Sequence, residues 1–226
     1  MDASLLTLIL VIAVLVGLYS AINIGANDVA NAMATSVASK ALTIKKAVLV
    51  AGVCNIFGAV LVGSYVANTI RKGLVDPLQF SDKAILFVFG MLAAVLGSAL
   101  WVNIATYFKL PVSTTHSIIG GVVGFGLVSV GIAGIKWKIV LFVVLSWIIS
   151  PVVGGIIAFT IFSIIKKFIL SSKEPIAQTR KIGPFFAGIV IFILSLAVIF
   201  KGLKNLHLNL PFREAFLVSL GLGVMG

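Results

Sequence analysis

Residues 109–121 read Lys109-Leu110-Pro111-Val112-Ser113-Thr114-Thr115-His116-Ser117-Ile118-Ile119-Gly120-Gly121, a proline and a run of hydroxyls set between apolar stretches. Pro111 disfavours helical geometry at Leu110 and suits the first turn of a new helix, so the chain is predicted to break there and restart around Ser113. A helix restarting inside an apolar region offers unpaired backbone N–H groups and the positive end of its dipole, with three consecutive hydroxyls beside them. That is an oxyanion receptor without a basic side chain, able to hold an anion and let it go. The competing reading is that these Ser and Thr hydroxyls bond back to i−4 carbonyls of their own helix.

The rest of the chain supplies the setting for such a break. Of 226 residues, 61% are hydrophobic and 10% charged, with a mean hydropathy of +1.24; soluble domains carry roughly 25% charged residues. At roughly 20 apolar residues per membrane-spanning helix there is room for about seven or eight segments. Seventeen Lys and Arg against six Asp and Glu give a net charge of +11. These bases sit in short runs between apolar segments, where they set topology and meet anionic headgroups, and no basic stretch is interleaved with exposed aromatics; nucleic acid is excluded as a partner. Cys54 is the single cysteine, so neither an intrachain disulfide nor a thiolate metal cluster can form. The N-terminal Met1-Asp2-Ala3-Ser4 lacks the positive region of a secretory signal, and the apolar stretch behind it reads as a first helix.

Apolar runs between charge clusters predict spans at about 4–24, continuing into the small-residue stretch Gly25 to Lys40, then from Lys45 and Lys46 to Arg71 and Lys72, and at about 84–106, 110–133, 139–165 and 184–200. Ser150-Pro151 marks a bend in the fifth, and Lys166 to Lys181 reads as a polar linker. The basic stretch Lys201 to Arg213, with His207, is placed at the membrane interface. The last run, Phe212 to Gly226, has no polar flank and reads as cut off, or as completed by packing in an oligomer. If each run before the linker spans once, Lys40, Lys45, Lys46, Lys109 and the bases of 166–181 share the cytoplasmic side.

A second polar cluster lies in the first segment: Asn23-Ile24-Gly25-Ala26-Asn27-Asp28-Val29-Ala30-Asn31, then Thr35, Ser36 and Ser39. Asn23, Asn27, Asn31 and Thr35 recur at i, i+4 and form one polar stripe on a helix, with Asp28 beside it. An acidic residue within an apolar segment costs about 2.5–3.5 kcal/mol at a helix centre, which packing alone does not require. Asp28, Asn27 and Asn31, with carbonyls freed where Gly25 lets the helix unwind, form a hard-oxygen nest suited to Na⁺, or a proton acceptor. Gly25, Ala26, Ala30, Ala32 and Ala34 read instead as a close helix-packing surface. His116 is a candidate proton relay, although a lone histidine among hydroxyls is more often structural. Asn55, Asn103 and Ser98 are expected to tie helices together.

The stretches GANDVANAMATSVASKALT at 25–43 and PVSTTHSIIGG at 111–121 strongly resemble the two signatures of the inorganic phosphate transporter family, the Pit-type permeases. The resemblance implies an all-α polytopic membrane protein with the inverted-repeat fold of a secondary transporter and broken or re-entrant helices. It implies phosphate symport with a cation, Na⁺ or H⁺, in the inner or plasma membrane. Asn27, Asp28 and Asn31 then match the cation and phosphate positions, with Asp28 and Asn31 toward Na⁺, and Ser113, Thr114 and Thr115 match the phosphate-binding hydroxyls. Family members hold each signature twice and this chain holds each once. It therefore resembles mainly a first repeat, 1–165, followed by a polar cytoplasmic loop at 166–183 and further, truncated segments at 184–226. A second half would come from the same longer chain or from a homo-oligomer.

Two other classes fit the residues less well. An anion-selective pore built on the same broken helices would equilibrate its ion and not accumulate it. An intramembrane hydrolase using Ser113 or Thr114 with His116 and Asp28 is disfavoured, because positions 114 and 116 do not face one another on a helix and no strained nucleophile turn is present. No enzyme and no resident cofactor are expected; phosphate and Na⁺ or H⁺ are cargo.

Overall fold

The computed structural model describes residues 2–202 and 210–225, so His207 lies outside the described residues. Seven α-helices appear among them: α1 (Ala3–Ala38), α2 (Ile44–Gly73), α3 (Ala84–Tyr107), α4 (Thr114–Val130), α5 (Trp137–Ile165), α6 (Pro175–Ala197) and α7 (Phe212–Met225). The helices follow the apolar runs closely, because in lipid every backbone polar group must be paired within its own segment. Among the described residues five stretches are long and apolar enough to cross a membrane: Ala3–Ala38, Ile44–Leu61, Pro77–Tyr107, Trp137–Leu170 and Pro175–Phe200. The chain is a multi-pass, all-helical membrane protein.

The helices fall into two compact units, Met1–Ile56 with Ala67–Val140, and Phe57–Val66 with Leu141–Gly226. In the first unit α3 and α4 form an antiparallel hairpin. Across it Gly90 faces Phe125 and Ala94 faces Gly121, and the buried residues are Gly90, Ala94, Ser98, Ala99, Val102 and Ala105 on α3 and Ile119, Val122 and Gly126 on α4. Small residues let the backbones approach closely, which is how helices associate where lipid removes the hydrophobic drive. A methyl at Gly121 would lie 2.5 Å from the Ala94 carbonyl oxygen, whereas one at Gly124 would meet nothing within 4 Å. Gly121→Ala is therefore expected to force the hairpin apart, losing on the order of 1–3 kcal/mol and lowering the detergent-solubilised Tm by several degrees. Gly124→Ala, in open space within the same helix, should leave Tm unchanged or slightly raised.

The open end of the hairpin is tied as well. Lys136 N–H donates to Leu74 C=O at 3.0 Å, Val75 and Ile135 form an isolated antiparallel bridge, and Lys136 Nζ lies 3.5 Å from Asp76. Phe80, on the 3-10 turn Pro77–Lys83, stacks at 5.2 Å from Phe87 and 5.5 Å from Phe125. Helix α1 runs parallel to α3, with Asn23 beside Asn103 and Asn27 beside Thr106. In the second unit α6 and α7 are antiparallel, with Gly188 against Gly223 and Phe192 against Phe216 at 5.3 Å.

Several expectations need correction. Helix α1 runs unbroken from Ala3 to Ala38, so Gly25 does not unwind it and frees no carbonyls. A single glycine costs about 1 kcal/mol in a helix, too little to break one flanked by alanines. The small residues of α1 do not pack closely on α2: Gly25, Ala26, Ala30 and Ala34 line an open groove of about 680 Å³ with Ala47 and Gly52. Helix α4 has 17 residues, about 25 Å at 1.5 Å per residue, at the short end of the range for a membrane-spanning helix. The polar linker is mostly helical: Lys166–Leu170 continues α5 as a π-turn and α6 already begins at Pro175, leaving 171–174 as the turn. Lys and Leu favour helix, and the first stop signal is the pair of serines before a proline that fits an N-terminal turn.

Candidate functional site

The break at Pro111 forms as its residues dictate. Helix α3 ends with Lys109 in the left-handed region at φ 57°, and Lys109 N–H donates to Thr106 C=O at 2.9 Å while Leu110 N–H donates to Ala105 C=O at 2.8 Å. These paired bonds close a helix end of the kind usually reserved for glycine. Pro111 and Val112 belong to neither helix, and Ser113, itself extended, caps α4 by accepting the His116 N–H on its hydroxyl at 3.3 Å. Ser117 N–H donates to Ser113 C=O at 3.1 Å. The N–H groups of Thr114 and Thr115, the first two of α4, have no earlier helical carbonyl to bond and project from its positive end.

The structure brings the two polar clusters together across 86 residues: Thr114 Oγ1 donates to Asp28 Oδ2 at 3.1 Å. Asp28 and Thr114 are both half-buried. One residue earlier on α1, Asn27 grips the break itself. Its amide nitrogen donates to Thr106 Oγ1 at 2.9 Å and to Leu110 C=O at 3.2 Å, and its amide oxygen accepts from Val112 N–H at 3.3 Å and from Asn31 Nδ2 at 3.1 Å. All four positions of the side-chain amide are used, so in this arrangement Asn27 has none left for phosphate or cation. Asn31, which donates to Asn27, keeps its amide oxygen without a hydrogen-bond partner among the described residues, and lies at i+3 from Asp28 on the same face of α1.

The remaining candidates are placed differently. Ser113 accepts the capping N–H on its hydroxyl oxygen, which leaves its O–H as a donor. Thr115 is exposed and has no side-chain hydrogen bond among the described residues, while the exposed His116 stands two positions from Thr114, about 200° around the helix. Further down the interface Asn103 Nδ2 donates to Asn23 Oδ1 at 2.6 Å, so Asn103 does tie two helices. Thr106 was not singled out from the sequence; its hydroxyl accepts from Asn27 and donates to Val102 C=O at 2.8 Å. A threonine in the last turn before a Lys-Leu-Pro stop was the signal available.

Chemically, the arrangement places carboxylate and amide oxygens, ligands for a hard cation, against the N-terminus of a broken helix, a receptor for an oxyanion. Residues 24–223 match a family model described as the phosphate transporter family. A presumed phosphate permease of Haemophilus influenzae is 39% identical over 210 residues, covering 93% of this chain and 50% of that protein. One of Chlamydia trachomatis is 48% identical over 195 residues, covering 86% and 46%. A solved structure described as the sodium-dependent phosphate transporter superposes with a TM-score of 0.87 at 42% identity, over 96% of this chain and 52% of that one. The chain spans about half the length of the curated relatives it matches.

Proposed function

The chain belongs to the phosphate transporter family, a family of transporters and not of enzymes, and from that premise we propose that it supplies one half of the site of a Na⁺-driven phosphate symporter. The observation that carries this reading is the Thr114–Asp28 hydrogen bond, which joins a cation ligand to the mouth of an anion receptor. The phosphate oxygens take the N–H groups of Thr114 and Thr115 and both their hydroxyls. Na⁺ takes the Asp28 carboxylate and the Asn31 amide oxygen. Ser113 shapes the receptor by capping it.

The same contact supports a mechanism for the coupling. With no cation bound, the carboxylate holds the Thr114 hydroxyl, a donor the phosphate needs, and sets a negative charge beside an anion site. A cation on Asp28 neutralises that charge and releases the hydroxyl to turn toward phosphate. Each ion thereby favours the other, as linkage requires, and couplings of this type amount to about 1–3 kcal/mol. The second half of the site comes from a repeat of the same longer chain or from a second copy, and rocking of the halves alternates access.

The test is ³²P-phosphate uptake into proteoliposomes containing the full-length protein, under an inward Na⁺ gradient and separately under an inward H⁺ gradient. The proposal expects accumulation with Na⁺ alone. Accumulation with H⁺ alone would recast Asp28 as a proton carrier, and equilibration without accumulation would identify an anion pore.

A further inference from the structure

Asn27 has the composition of a ligand and the geometry of a joint. Pro111 has no N–H, and the peptide groups on either side of it, the Leu110 carbonyl and the Val112 N–H, belong to neither helix. Unpaired in an apolar interior, each would cost several kcal/mol. The Asn27 amide meets both, donating to Leu110 C=O at 3.2 Å and accepting from Val112 N–H at 3.3 Å, the two-bond pattern by which one residue of a parallel strand pairs with the residues flanking its neighbour. Asn27 is 5% exposed, and Thr106, which completes its donor set, sits on the last turn of α3.

We propose that Asn27 and Thr106 are positioning residues that lock the connection between α3 and α4, and that neither contacts the transported ions. The inference rests on the symport reading for its consequence. Consecutive residues of α1 hold consecutive parts of the break: Asn27 fixes the segment between the helices, and Asp28 meets the first hydroxyl of α4. Where the segment sits therefore sets the Asp28–Thr114 spacing, on which both ions depend.

The experiment uses the full-length protein in proteoliposomes, with Asn27→Ala, Thr106→Val, Thr106→Ser and the double variant Asn27→Ala/Thr106→Val, at matched reconstituted protein. Thr106→Val, which removes the one hydrogen bond to Asn27, should raise the phosphate KM about tenfold, Asn27→Ala, which removes four, should raise it at least as much, and both should raise the Na⁺ concentration for half-maximal uptake. The double variant should be no worse than Asn27→Ala, and Thr106→Ser, which keeps the hydroxyl, should return KM to near the wild-type value. A ligand role for Asn27 predicts the opposite pattern, Asn27→Ala impaired and Thr106→Val normal, and that result would overturn the proposal. A merely structural role would lower the amount of inserted protein and leave KM alone. Amide hydrogen exchange over residues 108–116 gives a readout independent of transport: it should quicken in Asn27→Ala, and unchanged exchange would overturn the proposal even if the wild-type protein carried no phosphate, which would count against the symport reading alone.

Discussion

Asp28→Asn is expected to reduce cation-driven phosphate uptake by about a hundredfold or more while the protein still inserts and folds. Asparagine has the shape of aspartate and retains an oxygen able to accept the Thr114 hydroxyl bond now made at 3.1 Å, so the tie between α1 and α4 survives. What disappears is the charge. Two unit charges about 3 Å apart at an effective dielectric near 20 attract by roughly 5 kcal/mol, and losing half of that in net binding already reaches the stated factor. Uptake at matched protein in the liposomes, with the Tm of the purified variant as a check on folding, measures it. Normal uptake would remove Asp28 from the cation site.

The second large effect is expected at Thr114→Val. Valine fills the same volume without the hydroxyl, so the change is chemical and not steric. In the proposed mechanism that hydroxyl serves Asp28 before the cation arrives and phosphate afterwards, and its loss should raise the phosphate KM about tenfold to a hundredfold, the range for a hydrogen bond to a charged partner. Ser117→Ala is the matched control: its hydroxyl donates at 2.9 Å to Ser113 C=O of its own helix, so phosphate KM should stay at the wild-type value. An unchanged KM in Thr114→Val would take the hydroxyl out of the site.

How much of this was legible in the sequence follows from which interactions are local. Apolar runs separated by lysines located all seven helices, because a membrane segment must pair its own backbone and declares itself over 20 residues. The break at Pro111 and the Ser113 cap were legible for the same reason: proline geometry and N-capping act within a few positions. The failures were of two kinds. Gly25 was given more power over the helix than one residue has, and the bases of 166–181 were read as loop although lysine favours helix. The site's inner wiring lies beyond local reading altogether. That Asn27 would spend its whole amide on Thr106, Leu110, Val112 and Asn31 depends on α1 lying parallel to α3, a contact between residues about 80 positions apart. An Asn beside an Asp in an apolar helix reads as a ligand pair; only the packed structure separates the residue facing the joint from the one facing the receptor.

The central claim is that cation and phosphate meet through the Asp28–Thr114 contact, and equilibrium phosphate binding to the purified full-length protein, titrated at rising Na⁺ and constant ionic strength, tests it most directly. The account predicts that Na⁺ tightens phosphate binding about tenfold in the wild type and that this dependence vanishes in Asp28→Asn. Phosphate affinity independent of Na⁺ in the wild type, or the same Na⁺ enhancement in Asp28→Asn, would contradict it.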